Sequence, residues 1–277
     1  IIIIMKLKVK LLDKKLGKNY LEVLSFISLI CSFLFIVITI PDCLKIYIGI
    51  GLLLFFLIIY AIMWIIANNN DEVSLNINNS NLIIKTGDIF EEVGLKVIAF
   101  NEYFDTLVDN KIIAESSLNG IYIKSKVNDV NELDNLITSD TFLNNKILDT
   151  NNSRTIGKKK KYTLGTIFQN NDYLLTAFTK FDDENRAYLF MQDYVSFLLN
   201  FWNEIDIIYA GRSVSIPLLG SGITRFKENN TISEQELLEL LIWSFKVSRI
   251  KFTYPSKVSI IVHKSKKDKI NFYNLKE

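Results

Sequence analysis

The segment VSIPLLGSGITRF, Val214–Phe226, is the part of the sequence that decides the fold. An apolar run that contains a proline ends at Gly220-Ser221-Gly222, without the asparagine or aspartate of an ordinary turn. A glycine-rich turn exposes consecutive backbone N–H groups, and a phosphate can approach it closely because no Cβ intervenes. Ligands of open α/β sheets collect beyond the carboxyl ends of the strands. The segment therefore predicts either a plain turn or a phosphate-binding loop that follows a strand.

Short β-branched or aromatic runs on both sides of this segment predict an α/β domain. Strands that alternate with helical patterns form a sheet with helices on its faces. We therefore expect a mixed, largely parallel sheet flanked by helices. The predicted strands are Val73–Ile77, Leu82–Lys85, Leu95–Phe100, Tyr173–Phe178, Ser213–Leu218 and Lys257–Val262.

Apolar periodicity predicts two long helices in the same domain. One runs over Glu184–Ile205, and the other over Ser233–Ser248, where Ser233 and Glu236 can form a capping box. The lysine run Lys158–Lys161 is interpreted as a solvated loop rather than a phosphate-binding patch. The apolar stripe of the first helix consists of Tyr188, Met191, Tyr194, Val195, Leu198 and Trp202.

Two uncharged apolar stretches near the start predict a transmembrane hairpin. Val23–Ile40 and Ile46–Ile66 contain 18 and 21 residues. Each is long enough to cross a hydrocarbon core of roughly 30 Å as a helix. The link between them contains Pro41 and Asp42 and is too short for more than a turn. The alternative is a cleaved signal peptide followed by a buried helix, but the first stretch is long for a signal core and no small-residue cleavage site follows it.

Lysine placement predicts the orientation of this hairpin. Six lysines precede the first span, whereas only Lys45 lies in the turn. By the positive-inside rule both termini are then cytoplasmic. We expect a multi-pass membrane protein, with residues 1–22 as a basic cytoplasmic N-terminus, residues 23–66 as the hairpin and residues 71–277 as the cytoplasmic domain. Residues 1–4 precede Met5, the expected start, and are set aside as a remnant of upstream translation or cloning.

Charge and residue usage argue against several other functions. The net charge is +2, and residues 1–70 hold seven lysines against three carboxylates, so the remainder sums to −2. A domain of that charge is not a general nucleic-acid binder. Cys31 and Cys43 have no metal-ligand spacing, and we expect no metal site. His263, the single histidine, is expected to be structural or exposed, and no catalytic residue is predicted.

A second segment, Leu82–Thr106, makes the domain resemble the macro domain family. Gly87-Asp88-Ile89 follows a strand, and Val97–Asn101 forms a second strand that ends in asparagine. "YTLGTI" at Tyr162–Ile167 and the glycine loop of Val214–Phe226 follow in the family's order. The resemblance covers roughly residues 73–263, and it implies an ADP-ribose-type ligand in place of an enzyme cofactor.

The resemblance assigns roles to individual residues. Asp88 matches the aspartate that accepts a hydrogen bond from the adenine amino group, and Asn101 matches the asparagine at the distal ribose. Gly220–Ile223 match the loop whose amides hold the diphosphate, Phe226 is expected near the ribose or adenine, and Gly120 stands in the counterpart of the second phosphate loop. The complete set of expected ligand contacts is Asp88, Ile89, Asn101, Glu102, Asp105, Gly120, Ile121, Leu219, Gly220, Ser221, Gly222, Ile223, Thr224, Arg225 and Phe226.

Together with the hairpin, "NEYFDT", "LNG" and "PLLGSGITR" resemble the ThsA-type effectors of type II Thoeris anti-phage defence. In that family a TIR-domain enzyme makes histidine-ADP-ribose, and the macro domain binds it. The membrane part then damages the cell envelope. The resemblance therefore implies a homo-oligomer in a bacterial inner membrane. Glu102 and Asp105 would suit a positive amine on such a ligand, or they would form an ordinary surface turn. The alternatives are a membrane-tethered ADP-ribosyl hydrolase and a structural membrane adaptor without a ligand.

Overall fold

The computed structural model describes residues 7–227 and 232–275. Two terminal parts of the chain lie outside this description. They are residues 276–277 and residues 1–6, which include Met5, the expected start, and the first of the six lysines. The chain divides into two compact units. One unit contains residues 1–73 together with residues 270–277, and the other contains residues 74–269.

The unit of residues 74–269 is built on a mixed sheet with the strand order β1-β2-β11-β9-β3-β7-β8-β10. The central strands β2, β11, β9, β3 and β7 are mutually parallel, whereas β6 and β8 pair antiparallel with two parts of β7. The strands are β1 Glu72–Ile77, β2 Ser80–Gly87, β3 Leu95–Asn101, β4 Ile147–Thr150, β5 Lys160–Tyr162, β6 Ile167–Asn170, β7 Tyr173–Phe181, β8 Ala187–Leu189, β9 Val214–Pro217, β10 Arg225–Phe226 and β11 Val258–His263.

Helices accompany this sheet and confirm the predicted α/β class. The buried positions of β3, β7 and β11 run almost without interruption, as expected for strands covered on both faces. The helices of this unit are the short 3₁₀ turn η1 Ile89–Glu91, α3 Leu118–Lys126, α4 Val130–Ser139, α5 Thr141–Asn144, α6 Met191–Ile208, α7 Glu234–Ser248 and the 3₁₀ helix η2 Lys264–Lys269.

The boundary predicted for the first long helix was wrong. Residues 187–189 form β8, which pairs with Lys180 and Phe181 of β7, so Tyr188 belongs to a strand and not to the helical stripe. Helix α6 begins only at Met191, after Phe190 adopts an extended conformation. The prediction for α7 was confirmed, because Ser233 accepts the N–H of Glu236 as a cap.

The lysine run was also interpreted incorrectly. Lys160 and Lys161 lie in β5, which pairs with β4. Lys158 is half-buried, and its Nζ donates to the carbonyl oxygen of Phe104 at 2.7 Å and lies 2.6 Å from a carboxylate oxygen of Asp134. Burial lowers the pKa of Lys158, although Asp134 acts in the opposite direction. The run is thus partly a structural element.

The other unit contains two long apolar helices, α1 Lys14–Val37 and α2 Asp42–Asn69. In the most apolar 18 residues of each helix, 0% and 6% of the positions are buried, whereas a helix in the core of a soluble domain would be mostly buried by its neighbours. Both are long and apolar enough to cross a membrane. Helix α1 begins before the predicted span because Asp13 caps it by accepting the N–H groups of Lys15 and Leu16.

A small hydrophobic cluster lies at the open end of this hairpin, where α1 begins and α2 ends. Val9, Leu16 and Ala67 are buried together. Asn68 binds the preceding segment through its side chain, since its Oδ1 accepts the N–H groups of Lys8 and Val9 at 2.8 and 3.0 Å. Residues 7–13 are therefore folded back onto the end of α2.

The C-terminal residues 270–275 belong to the same unit and include the short helix α8, Phe272–Leu275. Asn19 Nδ2 donates to the hydroxyl of Tyr273 at 2.8 Å, and Asn271 Nδ2 donates to the carbonyl oxygen of Lys8 at 3.1 Å. The beginning and the end of the described chain therefore meet at the open end of the hairpin.

Candidate functional site

A cavity of about 730 Å³ lies at the carboxyl ends of the central strands, within residues 74–269. The ends of β2, β11, β9, β3 and β7 all contribute to its lining, because parallel strands finish at the same edge of the sheet. This is the place where open α/β sheets bind ligands. Its volume is in the range of small-molecule sites, which are roughly 300–1,000 Å³.

The loop Leu218–Thr224 follows β9 directly and lines the cavity along its whole length. The N–H and hydroxyl of Ser221 both donate to the carbonyl oxygen of Leu218, at 3.3 and 2.7 Å, and this closes a tight turn. Below the loop, the buried hydroxyl of Tyr194 donates to the carbonyl oxygen of Leu219 at 3.0 Å. Burial also raises the pKa of Tyr194, which keeps this phenol a donor.

The backbone of this cavity-lining loop has unused donors. Within residues 7–227 and 232–275, the N–H groups of Gly220, Gly222 and Ile223 donate to no protein acceptor. Gly220 has a φ of +87°, and a Cβ there would lie 3.1 Å from the ring of Phe226, so this glycine is required by the loop itself. Gly222 differs, since a Cβ there would meet nothing within 4 Å. The loop thus offers backbone donors beside open space.

Asp88 lies on the β2 side of this loop. Its Oδ1 accepts the N–H of Phe90 at 3.0 Å and caps η1, which leaves its other oxygen without this bond. Ile89 is buried beside it and also lines the cavity. Asp88 is therefore a fixed acceptor at one end of the cavity.

Asn101 lies on the opposite side of the loop, at the end of β3, and is 2% exposed. Its Oδ1 accepts the N–H groups of Tyr103 and Asp105, at 3.0 and 3.2 Å. Its Nδ2 donates to a carboxylate oxygen of Asp105 at 3.0 Å. The amide is consequently held in one orientation at the cavity wall.

The surface turn considered for Glu102 and Asp105 was wrong, and neither residue is among those that line the cavity. Both side chains are buried instead, with exposures of 4% and 0%. Glu102 accepts the N–H of Phe181 at 3.2 Å, and Asp105 forms a buried ion pair with Arg154. Burial raises the pKa of Glu102, while the N–H of Phe181 and the Lys161 ammonium lower it.

Gly120 is not part of a phosphate loop, contrary to the sequence prediction. It lies buried in α3, where Ser117 Oγ accepts its N–H as the helix cap, and a Cβ would strike the carbonyl oxygen of Ala114. The first turn of α3 does line the cavity, through residues 117–119 and Ile121. A helix N-terminus favours anions. A helix end thus occupies the place where a glycine loop was expected.

Phe226 is likewise absent from the lining of this cavity. It is buried in β10 and packs edge-on against Tyr194, with ring centroids 5.4 Å apart. Its ring packs closely against Gly220, since a Cβ there would lie 3.1 Å from it. Its role is therefore support of the loop, because an aromatic side chain in this strand points into the core.

The remaining expected contact residues do surround the cavity, and their role in binding stays a prediction. They come from four separate parts of the chain, and they meet because the parallel strands end together. These residues are Asp88, Ile89, Asn101, Ile121, Leu219, Gly220, Ser221, Gly222, Ile223, Thr224 and Arg225.

Several lining residues were missed from the sequence. Among the described residues that line the cavity, four are cationic, and Asp88 is the only carboxylate. Arg186 and Lys266 are paired with acidic neighbours, and His263 lies exposed at the end of β11. The carboxyl-end rule, applied to β11, would have found His263 and Lys266. The four cationic residues are Lys111, Arg186, Lys266 and Arg225, of which only Arg225 was expected from the sequence.

Within residues 7–227 and 232–275, no three His, Cys, Asp or Glu side chains are grouped to hold a metal ion. The exposed Nδ1 of His263 lies 2.8 Å from Ser265 Oγ. The cavity lining combines the amide donors of the glycine loop with four cationic side chains. It also contains the carboxylate acceptor of Asp88 on one side of the loop and the oriented amide of Asn101 on the other. This arrangement suits an elongated anionic ligand.

The chain is similar in sequence to proteins of one known family. A family model described as "Thoeris protein ThsA, Macro domain" matches residues 82–263. The chain is 47% identical over 233 residues to Thoeris protein ThsA of Bacillus amyloliquefaciens (strain Y2), across 82% of this chain and 76% of that protein.

Two solved structures of an Oceanobacillus iheyensis macrodomain are more distant, each at 13% identity. The form with MES bound has a TM-score of 0.46 and covers 74% of this chain and 94% of its own. A variant with ADPR has a TM-score of 0.45, with coverages of 74% and 96%. The family model and the 47%-identical relative confirm the macro domain expected from the sequence, and the chain belongs to the ThsA family of Thoeris proteins.

Proposed function

We propose that this chain is a membrane-anchored effector of bacterial anti-phage defence whose macro domain binds an ADP-ribose-derived signal. A TIR-domain enzyme would make the signal, and histidine-ADP-ribose is the ligand that we expect. The observation that carries the proposal is the amide-lined loop Leu218–Thr224, which lies between Asp88 and Asn101 in one cavity. Binding would cause copies to assemble and disrupt the bilayer, ending in abortive infection.

The chemistry of the cavity supports a nucleotide diphosphate. Backbone N–H groups of Gly222 and Ile223 can donate to phosphate oxygens, and the cationic lining favours negative charge. Asp88 offers a carboxylate acceptor for an exocyclic amine on the β2 side. Asn101 offers an oriented amide for a hydroxyl on the β3 side. An ADP-ribose moiety carries these groups in this order.

Several features favour binding without turnover. The two carboxylates that follow Asn101 are unavailable to activate a water molecule, because Glu102 and Asp105 are buried outside the cavity lining. Asp88 lies at the end of β2, separated from β3 by β11 and β9. A general base must be within hydrogen-bond reach of the proton that it takes. We therefore propose a signal receptor rather than an ADP-ribosyl hydrolase.

Calorimetry on the full-length protein in detergent tests this function. We expect ADP-ribose to bind and to be recovered unchanged by chromatography. Asp88→Ala should weaken binding by about 1–3 kcal/mol, the scale of a lost buried hydrogen-bond partner. Asp88→Asn is the matched control for the η1 cap, because its amide oxygen can still accept the N–H of Phe90. It should weaken binding without a loss of thermal stability.

Steady conversion of an ADP-ribosylated substrate would contradict this proposal and would support the hydrolase. If no ADP-ribose compound binds, the remaining hypothesis is a structural membrane adaptor without a ligand.

The hairpin supports the membrane part of the proposal. Helices α1 and α2 lie side by side, with the rings of Tyr20 and Tyr60 at 5.0 Å, and Tyr20 donates to the carbonyl oxygen of Phe56 at 3.2 Å. Lysines such as Lys10 and Lys14 are exposed near the open end of the hairpin. The positive-inside rule then assigns this end to the cytoplasm.

A protease-protection experiment checks the topology. With both termini cytoplasmic, protease added to spheroplasts should leave residues 74–269 uncut, and permeabilised spheroplasts should show cleavage. A periplasmic protein of known topology controls for protease access. Cleavage of residues 74–269 in sealed spheroplasts would invert the topology and separate the cavity from a cytoplasmic nucleotide.

A further inference from the structure

The carboxylate of Asp105 is fully occupied by donors from the protein. Its Oδ1 accepts Arg154 Nη1 at 3.1 Å and the N–H of Lys158 at 2.7 Å. Its Oδ2 accepts Arg154 Nη2 at 2.7 Å and Asn101 Nδ2 at 3.0 Å. A carboxylate has about four acceptor positions, and all are used here. Asp105 therefore acts on Asn101 and cannot contact a ligand.

Arg154 is the partner that fixes this carboxylate, and its side chain is only 7% exposed. The guanidinium carbon lies 3.9 Å from the ring centre of Tyr103 and 5.8 Å from that of Phe181. Nη2 also donates to Asn185 Oδ1 at 2.9 Å. A planar guanidinium has five N–H donors in a fixed arrangement, so one side chain can orient several neighbours.

The loop that carries Arg154 is shaped around the same carboxylate. Gly157 has a φ of +87°, and a Cβ there would lie 2.7 Å from Asp105 Oδ1 and 2.9 Å from Arg154 Nη1. Only glycine combines this backbone conformation with so close an approach. The Arg154–Asp105 pair is thus built into the loop rather than made by two flexible surface side chains.

Three neighbours of this ion pair line the cavity, and we call them the distal wall: Asn101, Phe181 and Asn185. They come from the end of β3, the end of β7 and the turn before β8. Asn101 is reached through Asp105, whereas Phe181 and Asn185 are reached directly by Arg154. One buried cation therefore adds a direct link among side chains from three parts of the chain.

The position of the distal wall defines which part of a ligand it meets. In the strand order β2-β11-β9-β3-β7, the glycine loop follows β9, Asp88 follows β2 and the distal wall follows β3 and β7. A ligand with its diphosphate at the loop and its base at Asp88 places its remaining half against the distal wall. This half is the second ribose and whatever is attached to it.

We propose that Arg154 is a positioning residue for the half of the ligand beyond the diphosphate. It acts through Asp105 and Asn185, orients the distal wall, and does not itself touch the ligand. This inference rests on the proposed function, since it takes an ADP-ribose compound as the ligand. A merely structural ion pair would affect all nucleotides alike, whereas a positioning residue affects only those that reach the distal wall.

Titration of full-length protein in detergent with ADP-ribose and with ADP separates these roles, because ADP ends at the diphosphate. Arg154→Met should weaken ADP-ribose binding about 10-fold or more, on the scale of one lost buried polar contact, and leave ADP binding unchanged. Arg154→Lys keeps a positive charge beside Asp105 but cannot also donate to Asn185. We therefore expect an intermediate loss of ADP-ribose affinity. Arg212→Met is the control, since Arg212 and Asp172 form an exposed Arg–Asp pair.

The outcomes distinguish the two proposals. Equal losses for ADP and ADP-ribose, or unchanged ADP-ribose affinity in a folded Arg154→Met protein, would overturn the positioning role and leave the proposed function intact. Wild-type protein that binds neither nucleotide would overturn the proposed function, and the positioning role with it. If Arg154→Met fails to fold, the comparison of the two ligands on Arg154→Lys decides the question in the same way.

Discussion

Gly222→Val is expected to abolish nucleotide binding and to leave the fold intact. The new side chain would enter the open space in front of the loop amides, where the phosphate is expected, because a Cβ at Gly222 meets no protein atom within 4 Å. Loss of these contacts should lower the affinity by at least about 100-fold, or about 2.7 kcal/mol. Calorimetry with ADP-ribose measures the effect, and thermal unfolding should show an unchanged midpoint.

Gly220→Val is the matched comparison within the same loop. There the added Cβ would lie 3.1 Å from the ring of Phe226, and the backbone has a φ of +87°. This variant should lose both binding and stability. Wild-type affinity in Gly222→Val would remove the loop Leu218–Thr224 from the binding site.

Liposomes that contain the full-length protein should leak a trapped dye only after the proposed signal, histidine-ADP-ribose, is added. Two helices cannot enclose an aqueous path, so several copies must gather in the bilayer. A ligand moves an assembly equilibrium from 1:99 to 99:1 only if it favours the assembled state by about 5.5 kcal/mol. Binding to each copy can contribute a part of this free energy, and the copies add. The expected change is therefore from background leakage to nearly complete release.

The Gly222→Val protein at equal density is the control, because its hairpin is unchanged and its cavity is blocked. Small residues permit close packing of helices in lipid. The hydroxyls of Ser25 and Ser32 already donate to carbonyl oxygens one turn earlier in α1, so they need no partner in another copy. Leakage without nucleotide, or binding with no change in leakage or in particle size, would overturn ligand-driven assembly but not the binding site.

The parts of this structure that follow local rules could be predicted from the sequence. The core strands β2, β3 and β11 are apolar runs, and a capping box marks the start of α7. The carboxyl-end rule predicted a site at the glycine loop, and the family resemblance assigned Asp88 and Asn101 to the same site. Each of these signals is carried by a short stretch of sequence, which is why pattern and resemblance were sufficient.

The distal side of the cavity could not be predicted in this way. Arg154 and Asp105 are 49 residues apart, and nothing local marks either as buried. A carboxylate after a strand has the same sequence signal whether it faces a ligand or a guanidinium. Tyr188 was misplaced for a related reason, since its strand is defined by pairing with Lys180 of β7 on one side and with Arg225 of β10 on the other. Long-range pairing decided each of these positions.

The contact between residues 270–275 and the open end of the hairpin has a consequence for biosynthesis. A ribosome makes α1 and α2 first, and both can enter a bilayer while the rest of the chain is still being made. The hydrogen bonds from Asn19 to Tyr273 and from Asn271 to Lys8 can form only after residues 74–269 have been translated. A chain interrupted before residue 270 would thus leave the open end of the hairpin without these bonds. The two bonds distinguish a chain that has been translated through residues 270–275 from a fragment that ends before them.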